Sequence, residues 1–103
     1  MKSIMHSKAA GTCYLCELLG TGRYNKVLQE HHVVSGTSNR KLSEKYGLKV
    51  YLCPEHHLYG PDAVHKNSEI SNLLKEEAQR AFEARWPELS FREIFGKNYL
   101  YHT

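Results

Sequence analysis

EHHVVSGTSNRKLSEKYGLKVYLCPEHHLYGPDAVHKN, residues 30–67, is the stretch on which the reading of this chain turns. It holds the pair His31-His32, a glycine- and serine-rich break leading to Asn39, the run Cys53-Pro54-Glu55-His56-His57, and then His65. Upstream stands Cys13-Tyr14-Leu15-Cys16. These segments take five of the seven histidines and all three cysteines. Imidazole and thiol donors at this density point to metal, and their spacing divides them into two groups.

The first group is Cys13, Cys16, Cys53 and His56. In Cys-x2-Cys the two intervening residues let the backbone turn and aim both sulfurs at one tetrahedral centre, and Cys-x2-His supplies the matching pair, so the four make the nitrogen and sulfur set that structural zinc prefers. A closed zinc site suits a chain of 103 residues, whose apolar core alone gives marginal stability. The 36 residues between the two pairs are too many for a compact finger and must form a substructure of their own. The second group is His31, His32, Asn39, His57 and His65. Two or three imidazoles with open positions can hold a divalent metal beside a substrate oxygen, while a spare neutral histidine can take a proton from water near neutral pH. Those are the parts needed to hydrolyse a phosphodiester.

Composition narrows the setting. Three cysteines cannot close a disulfide framework, and residues 1–10 lack the apolar run of a secretory signal, so zinc-held thiolates in a reducing cytoplasm are expected. No stretch approaches the roughly 20 apolar residues that span a bilayer. Net charge is +3 but unevenly placed: residues 21–50 carry six basic and two acidic side chains, residues 51–103 six and eight. The positive excess lies beside the histidines, where a polyanion would be drawn. Arg40, Lys41 and Lys45 are its nearest members in sequence, and they also fit an ordinary solvated helix face.

Residues 1–11 read as an unanchored lead-in, with ordered structure from Thr12. Gly20-Thr21-Gly22 reads as a turn, and Val27 to Val34 as a strand carrying both histidines. Neighbouring strand residues face opposite sides, so His31 and His32 reach one site only if the strand ends or bulges near Ser35-Gly36. Ser38 can cap a short helix through Tyr46 that Gly47 closes. The alternation from Leu48 to Leu52 predicts a second strand, and Pro54 the start of a helix with His56 and His57 on its first turn. From Ile70 the apolar spacing predicts a long helix ended by Trp86-Pro87, and Ser90 begins a capping-box pattern for a last helix, Phe91 to Phe95, stopped by Gly96. Tyr14, Tyr46, Tyr51, Phe82, Trp86 and Phe91 read as packing residues. The expected fold is a single α+β domain, with a zinc-stabilised core over 12–67 and a helical extension over 68–103.

This order of strand, His-His, loop with Asn, strand and Cys-x2-His-His resembles the HNH endonuclease superfamily, with its treble-clef-like ββα-metal core. Glu30-His31-His32-Val33-Val34, Ser38-Asn39-Arg40-Lys41 and Tyr51-Leu52-Cys53 are similar to segments of the small HNH proteins of phages and prophages. The resemblance covers Cys13 to Asn67 and, more loosely, the tail to Phe95-Gly96-Lys97-Asn98. It implies a metal-dependent endonuclease that nicks or cuts DNA with weak sequence specificity. Carried over in order, His31 takes the ligand place that Asp holds in many members, and His32 the place of the general base. Asn39 matches the residue that orients that base or its loop. His56 stands for the second Cys of a zinc pair, and His57 is the catalytic-metal ligand, with His65 a further one. Arg40, Lys41 and Lys45 would hold DNA phosphates. The catalytic ion would be Mg²⁺, Mn²⁺, Ni²⁺ or Zn²⁺, a neutral histidine in the Asp place turning preference away from Mg²⁺. Phage packaging or recombination proteins are the partners that the resemblance suggests. From the residues alone, the alternative is a non-catalytic zinc-stabilised module that binds nucleic acid or a protein.

Overall fold

Alternation through Leu48-Lys49-Val50-Tyr51-Leu52 builds strand β2 (Lys49–Leu52), which pairs antiparallel with β1 (Gln29–His32). The register sets Gln29 opposite Leu52, Glu30 opposite Tyr51, His31 opposite Val50 and His32 opposite Lys49. The computed structural model describes residues 2–7, 9, 11–20, 27–34 and 37–100. Within them the chain is a small α+β fold with this two-stranded sheet and four α-helices: α1 (Tyr14–Leu18), α2 (Thr37–Tyr46), α3 (Ser68–Arg85) and α4 (Phe91–Phe95). A single π-helical turn, Glu55–Tyr59, follows β2.

The first strand is shorter than the expected Val27 to Val34. Val33 and Val34 lie past its end, buried in the core, although the Val33 amide still donates to the Leu48 carbonyl at 3.0 Å. The connection between the strands is α2 itself, held against the end of β1 by a 2.7 Å hydrogen bond from the Ser43 hydroxyl to the Val34 carbonyl. The turn expected at Gly20-Thr21-Gly22 lies, beyond Gly20, outside the described residues, as does the break at Ser35-Gly36. The Cys13-to-Cys16 segment is more than a bare turn. Cys13 caps α1, and Cys16 sits within the helix.

The long helix is α3, started by Asn67, whose side-chain oxygen accepts from the amides of Glu69 and Ile70 at 3.0 and 3.2 Å. It buries Leu74, Ala78 and Phe82. Phe82 meets the ring of Tyr46 from α2 and the rings of Phe91 and Phe95 from α4, so one aromatic cluster joins three helices. The cap Ser90, the extent Phe91–Phe95 and the left-handed stop at Gly96, φ 79°, follow the sequence pattern. Among the described residues no helix is long and apolar enough to cross a membrane.

The lead-in, expected to hang free, is fastened along β2. The Ile4 amide donates to the Gly47 carbonyl at 3.0 Å, the Ser3 hydroxyl donates to the Lys49 carbonyl, and His6 accepts from the Tyr51 amide at 3.2 Å. Gly47 makes this possible twice over. Its φ of 70° suits glycine, and a Cβ there would lie 2.5 Å from the Lys2 carbonyl oxygen. Gly47→Ala is therefore expected to cost ~1–3 kcal/mol in denaturant unfolding and to erase the hydrogen-exchange protection of the Ile4 amide. A variant with an unchanged midpoint and a still-protected Ile4 would show that this segment is not seated on Gly47.

Candidate metal centres

Cys13 and Cys16 come from α1 and its cap, Cys53 from the end of β2, and His56 from the π-helical turn. Their donor atoms all lie within 4.8 Å of one another. His56 Nδ1 stands 3.5 Å from Cys13 Sγ, 3.4 Å from Cys16 Sγ and 3.4 Å from Cys53 Sγ, while Cys16 Sγ and Cys53 Sγ are 3.9 Å apart. A tetrahedral zinc with ordinary bond lengths requires S···N edges of about 3.6 Å and S···S edges of about 3.8 Å. The set fits that ion. Burial, with repulsion from Cys53 and Cys16 added, pushes the Cys13 thiol up to about 12, so three thiolates crowded here call for a compensating cation.

The next residue, His57, belongs to a different cluster with His31 and His65, whose donor atoms also lie within 4.8 Å. Successive residues on a helical turn point in different directions, and this lets adjacent imidazoles serve two centres. His65 reaches His57 from the loop after the π-turn, where the Val64 amide donates to the His56 carbonyl at 2.7 Å. Gln29, two residues before His31 on β1, accepts a 2.7 Å hydrogen bond at its side-chain oxygen from His57 Nδ1. That bond places the ring proton on Nδ1 and leaves the Nε2 lone pair facing His65 Nε2, 3.1 Å away. Metal–nitrogen bonds of about 2.0–2.1 Å give adjacent N···N edges of roughly 2.9–3.4 Å, so this pair has the separation of two ligands on one ion. His31 is 7 % exposed, and its ring centroid lies 5.4 Å from that of His57 and 5.1 Å from that of His65. Burial first, then the neighbouring rings of His57, His65 and His32, hold His31 down to about 3. Burial and His65 also lower His57. Neutral imidazoles are the form that binds metal.

His32 faces the other side of β1, as strand alternation requires. Its Nε2 lies 2.9 Å from Glu44 of α2 and 3.6 Å from Glu30. Lys49, paired with His32 across the sheet, donates to both Glu44 oxygens at 3.1 and 3.0 Å and lies 3.4 Å from Glu30. The hydrogen bond from His32, then that from Lys49, holds the Glu44 carboxyl down to about 2, so it is ionised at neutral pH. Burial works against the Lys49 ammonium, but Glu44 and Glu30 outweigh it and raise its pKa. Glu30, His32 and Glu44 also form a set with donor atoms within 4.8 Å, yet Lys49 already supplies their cation.

The two sides of β1 meet in one open cleft of about 290 Å³, lined by Glu30, His31, His32, Arg40, His57 and His65. Five of these are residues singled out by sequence. Asn39 is not among them: its amide donates instead to the Phe95 carbonyl at 3.4 Å, tying α2 to α4 rather than orienting His32. Lys41 and Lys45 are exposed elsewhere on α2, the Lys45 ammonium 5.4 Å from the centre of the Tyr46 ring. The sequence reading passed over Gln29, Glu44 and Lys49. Gln29 was findable from its i, i+2 spacing to His31, but Glu44 and Lys49 are joined to His32 by the packing of α2 on the sheet. Comparison of the chain with protein-family models, curated proteins and solved structures found no match.

The depressed His31 pKa sets an acid sensitivity. Its folded-state value lies below the usual 6.5, so the unfolded chain binds the extra proton, and the stability contribution is full above pH 6.5 and is lost as pH falls toward about 3. Carrying one equivalent of zinc, the wild type is expected to lose roughly 2 kcal/mol relative to His31→Phe between pH about 7 and about 5, measured by denaturant unfolding. Parallel pH profiles for the two proteins would contradict the buried neutral assignment.

Proposed function

We propose that this protein is a metal-dependent endonuclease of the HNH type, acting on DNA through a ββα-metal arrangement in which β1, β2 and the π-helical turn carry the site. The observation that carries the reading is the convergence of His31, His57 and His65 as a three-imidazole set in the same cleft as His32 and Arg40. A second zinc-compatible set stands one residue away in sequence at His56, matching the split into a structural and a chemical half. A nucleic-acid-binding module with purely structural histidines has no need to gather three imidazoles around an open cleft.

In this reading His32 removes a proton from the attacking water, and Arg40 holds a non-bridging oxygen of the scissile phosphate or its neighbour. Lys41 and Lys45 extend the positive side of α2 beyond the cleft toward flanking phosphates, contacts that position a strand without reading its bases. A divalent ion held by His31, His57 and His65 would stabilise the charge that develops at phosphorus and on the leaving 3′ oxygen. Burial first, then His57 and His65 beside His31 and His65 beside His57, hold these two rings toward the neutral form, and Gln29 fixes which nitrogen of His57 is available. Weak sequence specificity follows because the cleft offers few groups suited to base edges. Packaging or recombination proteins of a phage would supply recognition in such a setting.

The test is plasmid nicking titrated across Mg²⁺, Mn²⁺, Ni²⁺ and Zn²⁺. His32→Ala is expected to lower the rate by about 10²–10⁴-fold, the usual contribution of a general base, with folding and structural zinc retained. His57→Ala is expected to abolish uptake of a second, weaker metal ion while leaving the first. Intact plasmid under every metal, with one zinc per chain, would instead establish the binding-module alternative.

A further inference from the structure

Each neutral imidazole has one protonated nitrogen and one lone pair, so a histidine can act as a base only through the nitrogen its neighbours leave unprotonated. His32 Nε2 lies 2.9 Å from a Glu44 oxygen. That carboxylate accepts and cannot donate, so Nε2 carries the proton, and the lone pair is left on Nδ1. Glu30 is the weaker candidate for this role, because 3.6 Å is beyond a hydrogen bond. Glu44 is in turn fixed by the Lys49 ammonium, which is nearly buried and donates to both of its oxygens. Two strands and a helix therefore converge on the ring: His32 and Glu30 from β1, Lys49 from β2, and Glu44 from α2.

We propose that Glu44 is a positioning residue for the base, holding His32 as the Nε2–H tautomer with Nδ1 as the proton acceptor, and that Lys49 clamps the carboxylate in place. The proposal rests on the nuclease reading and assigns to Glu44 the orienting task that the family resemblance implies for Asn39. An ionised partner suits the task better than an amide. It favours a single proton position on the ring, and as the imidazole gains a proton from water the opposite charge beside it stabilises the cation. Lys49 balances the charge of Glu44 by donating to both carboxylate oxygens, one of which, Oε2, it shares with His32, as an oxygen with two lone pairs allows. Glu30 shares the same ammonium at 3.4 Å and is among the residues that line the cleft.

The experiment pairs a spectroscopic reading with kinetics on the zinc-loaded full chain. Imidazole ¹⁵N shifts at neutral pH are expected to show His32 with Nε2 protonated and Nδ1 free. In Glu44→Ala the ring is expected to become a mixture of tautomers. With plasmid and Mn²⁺ as the probes, Glu44→Ala should lower kcat by about 10–100-fold, the scale seen when a partner that orients a functional histidine is removed. KM and the count of bound metals should stay unchanged. Glu44→Gln, which keeps shape and an acceptor oxygen but loses the charge, should fall between the two and guards against simple misfolding of the alanine variant. A wild-type ring protonated on Nδ1, or full kcat in a folded Glu44→Ala, overturns the proposal while leaving the nuclease reading intact. A wild type that leaves plasmid intact under every metal overturns the nuclease reading, and the catalytic role of Glu44 falls with it.

Discussion

The peptide bond between His56 and His57 is the constraint on which the arrangement depends. One imidazole stands among three cysteine sulfurs, the next among two further imidazoles. Since the two side chains leave adjacent Cα atoms, the clusters cannot be positioned independently. The backbone reinforces the coupling. His57 donates its amide to the Cys53 carbonyl at 2.9 Å, and the His56 carbonyl receives the Val64 amide, which brings in His65. The π-helical turn between Glu55 and Tyr59 is where this occurs, and such wide turns concentrate at functional positions because they re-aim side chains that an α-helix would stack. A zinc that orders the cysteine set would thereby also fix the direction of His57.

Strand alternation does the rest of the sorting. Gln29 and His31 point to the side where His57 and His65 wait, and Glu30 and His32 to the side where α2 and Lys49 lie. Period two turns the contiguous sequence Gln29-Glu30-His31-His32 into two chemically distinct faces. The apolar partners Val50 and Leu52, opposite His31 and Gln29, are fully buried and hold that face against the core. A one-residue slip of the pairing would exchange the faces and bury Glu30 and His32 instead, so the apolar pattern of β2 guards the register of the site.

What was legible in the sequence was whatever depends on short-range spacing. Cys-x2-Cys with Cys-x2-His, the cap at Ser90, the stop at Gly96 and the helical face of α3 all encode their outcome within a few residues, and the structure follows them. The side-chain direction of Asn39 does not depend on its place in a motif. It depends on where α4 packs, and the Phe95 carbonyl claims it. The fastening of Lys2 to Ser7 likewise rests on a close approach to Gly47, more than forty positions away, for which the N-terminal segment carries no local mark. Glu44 and Lys49 look like ordinary surface charges in an amphipathic pattern until the fold sets them around His32.

The charge of the cleft then bears on its chemistry. Three neutral imidazoles leave the full charge of a bound divalent ion uncompensated, whereas a carboxylate ligand would cancel part of it. Glu44 is bonded to Lys49, and among the residues lining the cleft the carboxylate of Glu30 is matched in charge by the guanidinium of Arg40, so the lining adds little net charge of its own. On the proposed nuclease reading, an ion in the imidazole set would be the dominant positive charge offered to a phosphodiester. Softer nitrogen donors select ions such as Ni²⁺ and Zn²⁺ over Mg²⁺, which prefers oxygen and keeps its waters. On the proposed nuclease reading, a histidine in place of a carboxylate at position 31 would both strengthen the ion as an electrophile and turn its preference away from Mg²⁺.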